Sequence, residues 1–330
     1  MPKTILPDPR VQPRFAGIAT FCRYPRLVDV LPANRPLDWA IYGVPFDGGV
    51  TYRPGARFGP RAIREASQYI KRYSIEHKVD VCEVLSIADA GDAPLSPYEL
   101  KATLDMVSEF ALGLTDIDSD DAAGPTKLLA VGGDHSIAYA NIRATYQARG
   151  EPAGGLAVVH FDAHLDTVDS VWNCRWGHAS PFRRAIEEGL IDPARMISVG
   201  IRGPLNSGAD LEFASKAGIT VLTTDDILSG RALAALAEFA GQQRASEVYC
   251  SFDIDVVDPA FAPGTGTPAC GGPSSAQVLA LLRGLRGVSL AGADVVEVLP
   301  DLDVSGITSL LAGQVLFELL ALDAAWRSSP

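Results

Sequence analysis

Short apolar runs alternate with amphipathic stretches along most of the chain. "WAIYGV" (39–44), "TKLLAVGG" (126–133), "GLAVVHFD" (155–162), "RMISVGI" (195–201), "ITVLTT" (219–224), "EVYCSFDID" (247–255) and "LAGADVVEVLP" (290–300) read as strands. Seven further segments read as helices: "GPRAIREASQYIKRY" (59–73), "HSIAYANIRATYQARG" (135–150), "HASPFRRAIEEGL" (178–190), "ADLEFASKAG" (209–218), "RALAALAEFAGQ" (231–242), "SSAQVLALLRGL" (274–285) and "ITSLLAGQVLFELLALDAAW" (307–326). Pro60 suits a first helical turn and Gly150 a helix stop. Near-continuously apolar strands alternating with helices predict an α/β protein with a buried parallel sheet covered on both faces. Residues 1–36 break this rhythm. They carry seven of the 23 prolines without a clear period, and read as an arm lying over the surface or against a neighbouring subunit, ahead of a single domain over 37–330.

In open parallel sheets, ligands bind beyond the carboxyl ends of the strands. Here those ends read "VGGDHS" (131–136), "HFDAHLD" (160–166), "SFDIDVVDP" (251–259) and "VVEVLP" (295–300). Four of the five histidines, His135, His160, His164 and His178, fall within 44 residues. In "HFDAHLD" two histidines and two aspartates occupy alternate positions, which share one face if the segment is extended. So many polar, mostly anionic groups resist burial unless a cation lies among them. Oxygen-rich ligation with a minority of imidazole suits Mn²⁺ better than structural zinc, and the surplus of carboxylates points to two ions sharing bridging aspartates. "DIDSDD" (116–121) begins like a calcium loop, but Asp121 stands at its sixth position and Lys127 at its twelfth, so it reads as a surface loop.

Composition narrows the picture. With 47% hydrophobic and 21% charged residues, the 330-residue chain is expected to build a sizeable core. No run approaches the ~20 apolar residues of a membrane span, and the N-terminus lacks a signal-peptide h-region, so a cytoplasmic protein is expected. A net charge of −12 opposes nucleic acid or anionic membrane as a partner. Five scattered cysteines are an odd count without a C-x-x-C pair, and read as reduced thiols.

"GGDHS", "DAHLD", "SFDIDVVDPAFAPGTGTP" and "ADVVEV" resemble the signatures of the ureohydrolase superfamily, which includes arginase and agmatinase. "GVPFDGGVTYRPGARFGPRAIREAS" (43–67) and "FRRAIEEGL" (182–190) resemble its agmatinase branch, and "PRFAGIATF" (13–21) is similar to the N-terminal arms of guanidino-acid hydrolases. The resemblance implies an arginase-like three-layer α/β/α sandwich with a mostly parallel sheet of about eight strands. It also implies two Mn²⁺ per subunit, with Ni²⁺ the main alternative. One ion would be held by His135, Asp162, Asp166 and Asp253, the other by Asp162, His164, Asp253 and Asp255. Glu297 would grip the guanidinium, His178 would shuttle a proton, and His160 would support a ligand. Relatives of this kind form homo-oligomers, trimers or hexamers.

The implied reaction splits a small guanidino compound into urea and an amine, agmatine to putrescine and urea leading. Still open are 4-guanidinobutyrate or another guanidino acid, guanidine, an alkylguanidine, and a biguanide such as metformin. So is a role outside catalysis, as the silent partner subunit of a hetero-oligomer with a paralogue. Departures from the family pattern bear on the substrate's tail. Leu165 stands where threonine or alanine is usual, "HAS" replaces "HGT", and "TVDSVWNCRWG" (167–177) puts Trp172 and Trp176 in a loop expected to border the entrance. Indole faces there would hold a cation or an apolar group, and Arg175 a carboxylate.

Overall fold

Eight strands paired in parallel form the central sheet: β1 (Trp39–Val44), β2 (Ile87–Asp92), β3 (Lys127–Gly132), β4 (Leu156–Phe161), β5 (Ile191–Ile201), β6 (Thr220–Thr223), β7 (Glu247–Asp253) and β8 (Ser289–Val296). The structure, a computed structural model, describes residues 2–117 and 124–329, so most of the calcium-like stretch 116–121 lies outside the described residues. The strand order is β2-β1-β3-β8-β7-β4-β5-β6. Helices cover both faces, and successive residues of β3 enter opposite cores: Leu129 and Val131 one, Leu128 and Ala130 the other. The four middle strands, β3, β8, β7 and β4, are the ones whose ends carry the acidic and histidine-bearing segments.

β2 and the helix Leu100–Thr115 were not expected from the pattern. β2 reads "IADAGD", too small and acidic to register as an apolar run. Its Asp89 is buried, held by Arg64 at 2.8 Å and by the backbone N–H of Phe21 at 3.0 Å. That N–H comes from the N-terminal segment, which runs beside this edge strand: Asp89 N donates to Pro25 O at 2.9 Å, and Phe21, Cys22 and Tyr24 enter the core. Phe15 on the same segment is 92% exposed.

Three predicted elements end early. The helix from Gly59 stops at Ala66 instead of 73, because Ser67 Oγ and Gln68 Nε2 both donate to Arg64 O, at 3.1 and 2.7 Å. The helix expected over 178–190 spans Pro181–Glu187, leaving His178 in the turn before it. β8 ends at Val296 because Glu297 adopts φ +65.

The last helix, Ile307–Arg327, is buried on nearly every side. With its preceding turn it is long and apolar enough to cross a membrane, which corrects the expectation that no segment approaches that limit. It is a core helix. Its Glu318 pairs with Arg283 at 2.8 Å and its Asp323 with Lys127 at 2.7 Å, both carboxylates being buried within the protein.

Candidate metal centre and active site

The sheet's carboxyl edge gathers all six predicted donors. His135, two residues beyond Gly133 in the turn after β3, places Nδ1 at 3.1 Å from Asp162, 2.9 Å from Asp166 and 3.2 Å from Asp253. His164 Nδ1 lies 3.3 Å from Asp162 and 3.1 Å from Asp255. Asp162 therefore stands between the two groups, one oxygen toward each. The alternation in "HFDAHLD" does not arrange them as one strand face, since β4 ends at Phe161. Beyond it the chain turns: His164 N donates to Asp162 Oδ1 at 2.5 Å, and Asp166 sits at φ +51. Asparagine and aspartate tolerate that left-handed conformation better than most residues.

His135 Nδ1 is buried and makes no hydrogen bond, although three carboxylates lie within 3.2 Å. An imidazole nitrogen crowded by three carboxylates without a hydrogen bond to any of them suits donors gathered around an ion. Its other nitrogen meets Ser251 Oγ at 2.9 Å, which donates onward to Asp294 at 2.7 Å. Such backing orients a ligand imidazole. Electrostatics point the same way. Burial, reinforced by Asp255 and Asp162, lifts the Asp253 carboxyl well above the usual range, and burial with Asp162 lifts Asp255. The residues fit a pair of divalent cations.

His160 lies close enough to join His135 and Asp162 in a donor group. Both of its nitrogens are already engaged, Nε2 with Asp162 at 2.9 Å and Nδ1 with Ser198 Oγ at 3.2 Å. It steadies the Asp162 carboxylate and has no lone pair left to offer.

Glu297 and His178 are in direct contact, Nδ1 to Oε1 at 2.8 Å. Oε1 also accepts the His135 backbone N–H at 2.9 Å, whereas Oε2 is buried without a partner. Glutamate at φ +65 carries backbone strain of about 1–3 kcal/mol, and this turn aims it across the end of β8. Burial opposes protonation of His178, but the Glu297 carboxylate outweighs it and sets the ring's pKa at about 9. Thr51 N–H, aimed at Nε2 from 2.9 Å, pulls the other way because it needs the ring's lone pair. The backbone donor cannot turn away, and cations held by the nearby carboxylates would add repulsion that lowers the ring's pKa further.

His178, His164, Asp166 and Asp253 line a cavity of 260 Å³ whose walls also include Thr51, Leu165, Val168, Leu205, Asp210 and Thr267. Neither tryptophan lines it. Trp176 turns back onto Tyr139, ring centroids 4.8 Å apart, and Trp172 is 79% exposed. Arg175 pairs with Glu187 at 2.8 Å, away from the cavity. Of residues 167–177 only Val168 reaches the wall, which His178 and Ala179 join just beyond the loop. Sequence reasoning missed Thr51, Thr267 and Asp210, whose roles exist only once distant loops meet. It also passed over Asp294, whose signal was a lone acid inside the apolar run of β8.

An acid-and-imidazole centre at the carboxyl edge of a parallel sheet is where an α/β/α protein can hold metal ions for hydrolysis. The Arginase family model matches residues 37–321, and the chain belongs to that family. It is 44% identical to the guanidinopropionase of Pseudomonas aeruginosa over 96% of both chains. It is 37% identical to the mitochondrial agmatinase of Gallus gallus, over 94% of this chain and 86% of that one. Among solved structures, proclavaminate amidino hydrolase from Streptomyces clavuligerus superposes with a TM-score of 0.84 and 41% identity, over 96% of this chain and 100% of that one. The protein is accordingly a metal-dependent ureohydrolase acting on a guanidino C–N bond.

Proposed function

We propose that the substrate is agmatine, hydrolysed to putrescine and urea. The observation that carries the guanidinium's placement is Glu297 Oε2, buried and unpartnered beside the donor cluster. A lone carboxylate oxygen there accepts an N–H of a planar guanidinium and orients its carbon toward the carboxylates. His135, Asp162, Asp166 and Asp253 would hold one Mn²⁺, and Asp162, His164, Asp253 and Asp255 the other. The pair supplies Lewis acidity and makes a water acidic enough to ionise near neutral pH. His178, fixed against Glu297, is placed to hand a proton to the departing amine. At the tail end, Asp210 lines the cavity with no hydrogen bond or ion pair among the described residues, and no Lys or Arg lines it. That lining favours an ammonium tail.

A guanidino acid is the second reading, favoured by the 44% identity to a guanidinopropionase. Urea release by the purified, Mn²⁺-loaded protein across agmatine, 4-guanidinobutyrate, guanidine and metformin decides between them, and metal analysis of native protein separates Mn²⁺ from Ni²⁺. Turnover of agmatine at least about tenfold above the acid in kcat/KM is expected, the worth of one charge-assisted contact. Silence toward the whole panel would sink the reading.

A further inference from the structure

The loop after β1 reaches across the site and touches His178 at its second nitrogen. Asp47 ties the loop back on itself, accepting from Gly55 N at 2.6 Å and from Arg57 Nε at 2.5 Å. Gly49 N donates to Asp134 at 2.7 Å, and His178 N donates to Gly49 O at 3.0 Å. A Cβ on Gly49 would lie 3.2 Å from both Gly177 Cα and His178 N, so glycine permits this approach. The loop thereby delivers Thr51 to His178 Nε2 twice, through its N–H at 2.9 Å and its hydroxyl at 2.7 Å.

We propose that Thr51 is the positioning residue of His178 and serves both protonation states of its ring. This rests on the proton-transfer role given to His178 above. In the neutral ring, Nδ1–H donates to Glu297 Oε1 and the Nε2 lone pair accepts from the Thr51 N–H. When Nε2 takes a proton released by the water that hydrolysis consumes, the hydroxyl rotates and accepts the new N–H, offsetting the Thr51 N–H that now opposes it. A hydroxyl does this and a backbone N–H cannot, because only the hydroxyl both donates and accepts. The imidazole keeps its place and its hold on Glu297 in both states. The proton itself stays on Nε2 until the departing amine takes it; none passes to Thr51. His178 and Thr51 both line the cavity, so the exchange occurs where substrate binds.

Thr51→Val removes the hydroxyl and keeps shape and backbone, and Thr51→Ser restores the hydroxyl. The other charged groups bearing on the ring, Glu297, Asp166 and Asp134, are unchanged in both variants. Two measurements on the metal-loaded protein apply. The first is kcat and KM against pH. Thr51→Val should lose about tenfold in kcat with KM nearly unchanged, and Thr51→Ser should recover most of it. The second is the His178 pKa, read by ¹⁵N-histidine NMR with Zn²⁺ as the diamagnetic ion and assigned by loss of the signal in His178→Asn. It should fall by about one unit in Thr51→Val and hold in Thr51→Ser. The NMR needs no turnover, so wild-type protein that releases no urea would overturn the proposed function while the titration still judged Thr51. A Thr51→Val protein that matches wild type in His178 pKa, or a Thr51→Ser protein as displaced as Thr51→Val, would overturn the proposal.

Discussion

The two ends of the central strands treat buried acids in opposite ways. At the amino end, Asp323 receives Lys127 at 2.7 Å, Arg327 at 3.3 Å and the Trp39 indole N–H at 2.8 Å, and Asp38 receives Arg327 at 2.5 Å. Both of these acids have cations built into the chain. At the carboxyl end, Asp162, Asp166, Asp253 and Asp255 meet histidines, backbone N–H groups and the Thr267 hydroxyl, and among the described residues none of them pairs with a Lys or Arg side chain. The first cluster is complete as folded; the second is complete only with ions bound. Charge of one sign, buried twice, thus serves stability at one edge and chemistry at the other.

The comparison breaks most visibly if Asp253 is changed to Asn, or if chelator strips the ions. Urea release should fall about a thousandfold or more, because two ions supply several kcal/mol of transition-state stabilisation. Lys127→Met strikes the other end. It should destabilise by about 3 kcal/mol, the lower part of the range for a broken buried pair, because Arg327 stays near Asp323. Its kcat should hold, and chemical denaturation beside an activity assay checks both.

A pH series separates the edges next. In the metal-free protein, the folded pKa values of Asp253, Asp255, His135 and His164 are all raised. Burial is the largest influence on each; it raises the acids and opposes the histidines, whose carboxylate partners prevail. Groups raised in the folded state contribute stability below their unfolded pKa, near 4 for the acids and near 6.5 for the histidines, and lose it as pH rises through the folded value. Asp162 is lowered, and its contribution is lost only below about pH 4. From pH 6 to 9, then, the metal-free Tm should fall while ions bind more tightly to deprotonated donors, so the Tm gained on adding Mn²⁺ should widen. A gap that narrows with pH would show the acids were not waiting for a cation. The smallest effect belongs to Trp172→Ala. The side chain is 79% exposed and off the cavity wall, so stability should stay within about 0.5 kcal/mol and KM within about twofold.

The amino-acid sequence alone carried the alternation of strand and helix and the edge on which the chemistry collects, while the six donors were implied by its resemblance to the ureohydrolases. Those properties depend on local periodicity and on residues clustered in short segments, and a strand end is local. What only the tertiary structure decided lies between segments. β2 stayed hidden because Asp89 is buried by a partner 25 residues away, Arg64. Trp172 and Trp176 stand in the entrance loop by position, yet packing turns one to solvent and the other onto Tyr139. The contact of Thr51 with His178 spans 127 residues. Side-chain direction is set by what a residue packs against, and a one-dimensional pattern holds no record of neighbours that far apart.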